Sequence, residues 1–440
     1  MKKYKEYKSS EIEWLGDIPT DWDVKKIKWM TSIKRGASPR PIDDPKYFDE
    51  DGEYAWVRIA DVSSAGMYLE QTTQKMSDLG ASLSVKREPG DIFVSIAGTV
   101  GKPCITNIKC CIHDGFVYFP DYKGEKKYLY YIFASGAPYK GLGKMGTQLN
   151  LNTETIGSIK IPSISLSLQR KIALFLDTKV NEIDTLLNLK QKQIDTLEQQ
   201  RQSIITEAVT KGLNPNVKMK DSGIEWIGEI PEHWVFTRLD FVSRVKARLG
   251  WKGLKAEEYV EDGYAFLSTP NLKERNIDFK NVNYITEERY LESPEIMLEV
   301  GDVLLAKDGS TLGIVNVVRS LPKNATVNSS IAVIRPTEKI DSVYFYYYLK
   351  STYIQDVINQ IKDGMGVPHL FQADIKKFKI LLPPMDEQVV IAKYLDEETL
   401  KLEQLAEKVK QQIEALKEYR QALIYEAVTG KINVRDMELD

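Results

Sequence analysis

The sequence predicts an α+β protein built as two like halves, with two globular domains joined by two long antiparallel helices that form a coiled coil. Three observations predict this. Gln169 to Asn214 recurs as Gln388 to Asn433 at a constant offset of 219, with 17 identities over 46 ungapped positions, where average residue usage gives about three. Glycine and proline are absent between Pro162 and Gly212 and again between Pro384 and Gly430, while apolar residues recur there in steps of four and three. The opening Ile12-Glu13-Trp14-Leu15-Gly16-Asp17-Ile18-Pro19 returns as Ile224-Glu225-Trp226-Ile227-Gly228-Glu229-Ile230-Pro231 at an offset of 212, so the material between opening and helix has diverged in length. Such a duplicated chain is a pseudo-twofold object, suited to a partner or target that also comes in two halves.

In order along the chain, residues 1–165 are the first domain, 166–213 the first long helix, 214–384 the second domain, 385–433 the second helix and 434–440 a C-terminal tail. Within the domains, short Val/Ile/Tyr/Phe runs bounded by turn residues read as strands, among them Tyr54 to Ile59, Asp91 to Ile96, Phe116 to Phe119, Val303 to Ala306, Gly313 to Val318 and Ile331 to Ile334. Tyr128 to Ala134 and Tyr344 to Lys350 read as helices, and their tyrosines as core packing rather than a base-stacking surface. The helical seam runs through Ile183, Leu187, Lys190, Ile194, Leu197, Arg201, Ile204 and Ala208, and again through Leu402, Ala406, Val409, Ile413, Leu416, Arg420, Leu423 and Ala427. Rods of roughly 60 to 67 Å follow from about 40 to 45 residues at 1.5 Å each. So long an apolar stripe needs a long partner surface, and the cations on it fix register or face another chain rather than add stability.

Composition sets limits. At 440 residues, with 42% hydrophobic, 28% charged and 10% aromatic side chains, the chain has enough apolar material for two or three cores. Its charged start, Met1-Lys2-Lys3-Tyr4-Lys5-Glu6, has no apolar signal core, and no window approaches the length a bilayer needs, so a cytoplasmic location without a membrane partner is expected. Cys104, Cys110 and Cys111 all fall in the first half, which excludes a disulfide framework shared by the repeats. His113, His233 and His369 form no duplicated set, and no spaced zinc-ligand pairs occur, so neither metal nor cofactor is expected. The net charge of −3 places any nucleic-acid role on local patches or partner subunits.

Two pairs of loops and one pair of basic clusters are the candidate sites. Gly90 to Lys102 and Gly301 to Gly313 each read as turn, strand and small polar glycine loop, in which Ser95, Gly98, Thr99 and Lys102, and Lys307, Gly309, Ser310 and Thr311, are placed to approach phosphates. An ordinary hairpin turn explains either copy alone. The first is no nucleotide-binding P-loop, having too few residues between its glycines and Pro103 where Ser or Thr is needed. Lys144, Thr147, Gln148 and Asn150 form the second loop, matched by the stretch from Lys362 to His369; Gln and Asn amides read adenine edges, and Thr bonds to phosphate. Lys25, Lys26 and Lys28 with Lys34 and Arg35, and Arg244, Lys246, Arg248 and Lys252, follow the two openings and suit phosphate neutralisation. A solvated face is the common explanation of one such cluster, and recurrence in both halves weighs against it. No nucleophile motif, dinucleotide fingerprint or zincin helix is present, and Leu381-Leu382-Pro383-Pro384-Met385-Asp386 lacks the acid or amide and the aromatic of an adenine methyltransferase segment. From the residues alone, an enzyme with an unrecognised site and a coiled-coil scaffold or adaptor without DNA reading stay open.

The two openings, the Gly-Asp strand loops, Pro383-Pro384-Met385-Asp386-Glu387-Gln388 leading into Ile391-Ala392, and the helix exit Glu207-Ala208-Val209-Thr210-Lys211-Gly212-Leu213 together resemble specificity subunits of type I restriction-modification systems, over nearly the whole chain. The first half departs in having Pro162-Ser163-Ile164-Ser165-Leu166-Ser167-Leu168-Gln169 where the family has Pro-Pro-x-x-Glu-Gln. The resemblance implies a non-catalytic subunit whose domains are target recognition domains, each reading one part of a split asymmetric sequence in double-stranded DNA. It implies two methyltransferase (modification) subunits docked on the helices, with restriction/translocase subunits joining through the assembled complex. It further implies that His113 and Asp114, and Asn328 and Ser329, which precede a core strand, face DNA. A rod of roughly 60 Å against about 34 Å per duplex turn agrees with two half-sites and an unread spacer.

Overall fold

Both repeated segments are single unbroken helices, Leu166–Lys211 of 46 residues and Met385–Val428 of 44, about 69 and 66 Å long. Each is ended by a left-handed glycine, Gly212 (φ 75°) and Gly430 (φ 74°). A β-carbon would lie 3.1 Å from Trp234 at the first and 2.6 Å from Pro19 at the second, so these exits are shaped by the opening segments they touch.

The computed structural model describes residues 2–142, 151–225, 227–248, 254, 256–363, 369–435 and 437. The chain divides into two units, residues 1–191 with 411–440, and residues 192–410. The long helices are therefore not a separate layer. Each unit holds one domain with part of both helices, and Val434, at the start of the expected tail, is buried in the first core.

In the first unit a five-stranded sheet runs Lys34–Arg35, Phe116–Tyr118, Ile92–Ser95, Pro103–Thr106, Tyr68–Leu69. A second sheet runs Gln74–Met76, Tyr54–Val57, Cys110–Ile112, Val85–Arg87. The second unit repeats the order as Ser243–Lys246, Ile331–Pro336, Val303–Ala306, Val315–Val317 and as Asn283–Ile285, Tyr264–Leu267, Ala325–Val327. Among the described residues it has no counterpart of the edge strands Tyr68–Leu69 and Val85–Arg87. Ile92–Ser95 and Val303–Ala306 are buried at every position, which is why they read as continuous apolar runs rather than alternating ones.

A smaller antiparallel pair anchors each domain to its helix. Asp23–Lys26 pairs with Lys160–Ser163 just ahead of the first helix, and Val235–Arg238 pairs with Lys379–Leu382 just ahead of the second. The tyrosine helices are core, as expected. Tyr131 donates to Asp177 at 2.7 Å and Tyr347 to Asp396 at 2.7 Å. Gln169 accepts the Glu125 amide and Gln388 the Asp341 amide, each at 2.8 Å. The repeated Gln and Asp of the helices are thus latches onto the domain, a role that heptad spacing does not reveal.

The seam is buried or half-buried at every expected position, with exposed residues filling most of the steps between them. Its arginines set register. Arg420 pairs with Asp184 at 2.8 Å in the first unit, and Arg201 with Glu403 at 3.3 Å in the second. Asp184 and Glu403, like the two arginines, are repeat equivalents, so one antiparallel contact is made twice.

Candidate nucleic-acid interface

In the first domain, three segments converge at the loop end of the large sheet. These are the stretch after Lys34–Arg35, the glycine loop between Ile92–Ser95 and Pro103–Thr106, and the turn at His113 to Gly115. Gly36 makes the approach possible, since a β-carbon there would lie 2.1 Å from the His113 carbonyl oxygen. Its amide donates to Phe116 O at 3.0 Å and that of Ala37 to Ile112 O at 3.1 Å.

Charge is concentrated at this junction. Lys34 and Arg35 are exposed, the Arg35 guanidinium donates to the Asp114 carbonyl, and Arg40 reaches the Asp114 carboxylate at 3.2 Å. His113 lies between Trp56 (5.8 Å between ring centres) and Phe116 (4.7 Å), and its Nδ1 accepts the Gly115 amide at 2.8 Å. The neutral ring therefore carries its proton on Nε2. Burial pushes the His113 pKa below its ordinary value, against the opposing pull of Asp114.

The second domain builds the same turn with different chemistry. Asn328 Oδ1 accepts the Ser330 amide at 3.1 Å, so Asn328 stands where His113 stands, as expected, and Ser329 is exposed beside it. Lys307 donates its amide to Ser330 O at 2.8 Å and accepts from Leu370 N at 2.8 Å, which ties the glycine loop to both neighbours. The His369 ring hydrogen-bonds through Nδ1 to Asp308 and packs on Phe371 at 4.4 Å. Gly309 takes a left-handed φ of 66°, Ser310 is exposed, and Thr311 donates to Asp308 O at 3.2 Å. Arg244 is exposed on its strand and Lys246 half-buried.

Four expected site residues are placed elsewhere. Ser95 is buried, and its hydroxyl, bonded to Thr99 O and accepting the Lys102 amide at 3.1 Å, holds the glycine loop in shape. Lys102 turns its ammonium back onto the end of the helix Ile59–Ser64, donating to Ser63 O at 2.8 Å and Ala65 O at 2.7 Å, a helix cap rather than a phosphate contact. Lys307 is buried and lies 3.1 Å from the Asp308 carboxylate. The Arg248 side chain is only 5% exposed and faces Glu292 at 3.9 Å. Gly98 and Thr99 stay exposed at the loop tip, with Thr99 bonded to Ser63 at 2.6 Å. Lys144, Thr147, Gln148, Asn150 and Lys252 lie outside the described residues.

Two residues were not foreseen. Arg58 and Gln74, joined by a hydrogen bond, line a cavity of about 1030 Å³ together with Trp56, whose ring contacts His113. They meet because Tyr54–Val57, which ends just before Arg58, pairs with Gln74–Met76, so the sequence holds no local signal for them.

The family model described as the type I restriction modification DNA specificity domain matches this chain twice, over residues 19–198 and 231–415. The type I restriction enzyme MjaVIII specificity subunit of Methanocaldococcus jannaschii is 25% identical over 448 residues, covering 99% of each chain. The putative MjaX specificity subunit of the same organism is 28% identical over 458 residues, again covering 99% of each. Among solved structures, a chain from work on complex assembly and conformational transition of the type I R-M system has a TM-score of 0.72 at 16% identity, covering 94% of this chain and 99% of that one. The HsdS subunit from Thermoanaerobacter tengcongensis has a TM-score of 0.51 at 16% identity, covering 94% and 98%. The last two likenesses establish the fold, whereas the double match of the family model, on two domains that share one strand order, establishes membership. This chain belongs to the type I restriction-modification DNA specificity family, as a non-catalytic specificity subunit with two copies of the specificity domain.

Proposed function

We propose that the chain reads a bipartite, asymmetric sequence in double-stranded DNA, each domain supplying one half through its loop cluster, while the length of the helices sets the unread spacer. The observation that carries this is the loop cluster itself, built twice on one strand order with different side chains at matching turns. Lys34, Arg35 and Arg244 are exposed and serve the phosphates, which position without reading sequence. Ser310, exposed on its glycine loop, approaches the phosphates as well, whereas His113 and Asp114, and Asn328, Ser329 and His369, surround the turns and serve base edges, with Gln148 and Asn150 as further readers. Two methyltransferase subunits dock on the helices, where the repeat equivalents Leu186 and Leu405 are 46% and 48% exposed, and restriction/translocase subunits join through that complex in the cytoplasm. Base methylation and ATP-driven cleavage belong to those partners.

The test is the modified-base pattern of DNA from cells carrying this chain and its cognate methyltransferase. A split motif with a fixed unread gap is expected; an uninterrupted motif would sink the bipartite reading.

A further inference from the structure

Trp29 and Phe241 are repeat equivalents at the offset of 212, and they are 67% and 63% exposed. A large aromatic left in water at one position is unremarkable for a surface. Here it is built twice on matching local frames. Ile27 donates its amide to Ile159 O at 3.0 Å, and its equivalent Leu239 donates to Phe378 O at 2.9 Å. Lys26 lies 5.5 Å from the Trp29 ring centre and Arg238 5.7 Å from that of Phe241, again at equivalent positions.

The surroundings point to an occupant. Lys25 and Lys28, near Trp29 in the chain, and Lys160, paired with Lys26, are exposed; so are Lys379, paired with Arg238, and Lys376, whose carbonyl accepts the Asp240 amide at 3.3 Å. Asp240 also sits there, 2.6 Å from Arg238. An aromatic anchor with a cation on its face and a charged rim is the composition of a protein–protein hot spot, and with Asp240 paired to Arg238 the remaining cations leave each rim complementary to carboxylates.

We propose that Trp29 and Phe241 are matched anchor points for one kind of protein partner, bound in two copies, each offering an apolar pocket rimmed by carboxylates to receive the ring. Duplication of the anchor on a single chain selects a partner that arrives twice. In the reading above this is the methyltransferase subunit, and the inference rests on that reading; the helices supply area, and the aromatics hold each copy at the base of its domain.

The experiment uses the full chain with its cognate methyltransferase subunit, counting bound copies by native mass spectrometry across a concentration series. Trp29→Ala is expected to weaken one of two binding steps about 30-fold and leave the other intact. Phe241→Ala does the same for the opposite step, the double variant weakens both, and Trp29→Phe stays close to the parent because Phe serves at the equivalent site. Thermal melting should be unchanged throughout. Unaltered two-step binding in all variants overturns the anchor while leaving the functional reading in place. Unaltered assembly with weakened binding of the assembled complex to duplex DNA assigns the aromatics to DNA and overturns it as well. A parent chain that binds no methyltransferase subunit overturns the functional reading, and the anchor with it.

Discussion

At the turn that leads into the main sheet, the first domain has His113 and the second has Asn328, and both side chains accept the backbone amide two residues on. The contacts that join each domain to its long helix are repeated, with Tyr131 on Asp177 against Tyr347 on Asp396, and Gln169 against Gln388 at equivalent amides. The duplication therefore kept the groups that hold each domain to its helices and changed the groups exposed at the loops. A difference between halves marks a reading position more readily than a likeness does.

The comparison can be broken hardest at the seam. Ile194 and Ile413 are equivalents, but Ile413 is buried and Ile194 only half-buried. Ile413→Asp should cost about 3 to 5 kcal/mol by placing a charge in an apolar layer, and Ile194→Asp about half as much. Urea unfolding of the two variants decides it; equal, negligible losses would mean that neither position is packed.

Next comes the latch. Asp396 also binds Arg275 at 3.1 Å and Arg319 at 2.8 and 3.0 Å, whereas Asp177 has Lys127 at 2.5 Å as its cation. Asp396→Ala takes the carboxylate from Arg319, while Arg275 keeps Glu403 at 3.3 Å and the residue's own backbone carbonyl at 2.7 Å; the change is expected to cost about 2 to 3 kcal/mol, against about 1 to 2 kcal/mol for Asp177→Ala. Thermal melts showing the reverse order would place the stronger latch in the first domain.

A smaller effect separates Lys34 from Lys102. Lys34→Ala should weaken binding of the assembled complex to every duplex and lower the log-log salt slope by up to about one unit. Lys102→Ala should leave the slope alone and lower the melting temperature slightly, since its ammonium caps a helix. A salt series on cognate and random duplexes reads both.

The smallest effect is a pH dependence confined to one half. Because the folded pKa of His113 is depressed, its contribution to stability is present above the unfolded value of about 6.5 and is lost as pH falls through the folded pKa. The second domain has the non-titrating Asn328 at this turn. His113→Asn should keep the turn and remove that acid loss; melting curves of parent and variant that shift in parallel from pH 7 to pH 5 would contradict it.

The helices were legible because glycine and proline are absent over long stretches and the apolar steps alternate four and three. The buried tyrosines were legible for a similar reason, as apolar bodies on short helices. The glycine loops were located correctly but misread in detail, because a Gly-rich spacing reports a loop and says nothing about where a long side chain turns. Lys102 reaches carbonyls 37 and 39 residues earlier in the chain. Arg58 with Gln74, and Arg275 with Asp396, exist only once strands and helices have paired.

The central claim is that one chain carries two independent readers on one ruler. Its most direct test replaces residues 24 to 160 with the corresponding stretch of a related specificity subunit and maps the modified-base pattern made with the cognate methyltransferase. The account predicts a motif in which one half changes while the other half and the gap between them stay as in the parent. A change in both halves, or in the gap alone, would contradict it.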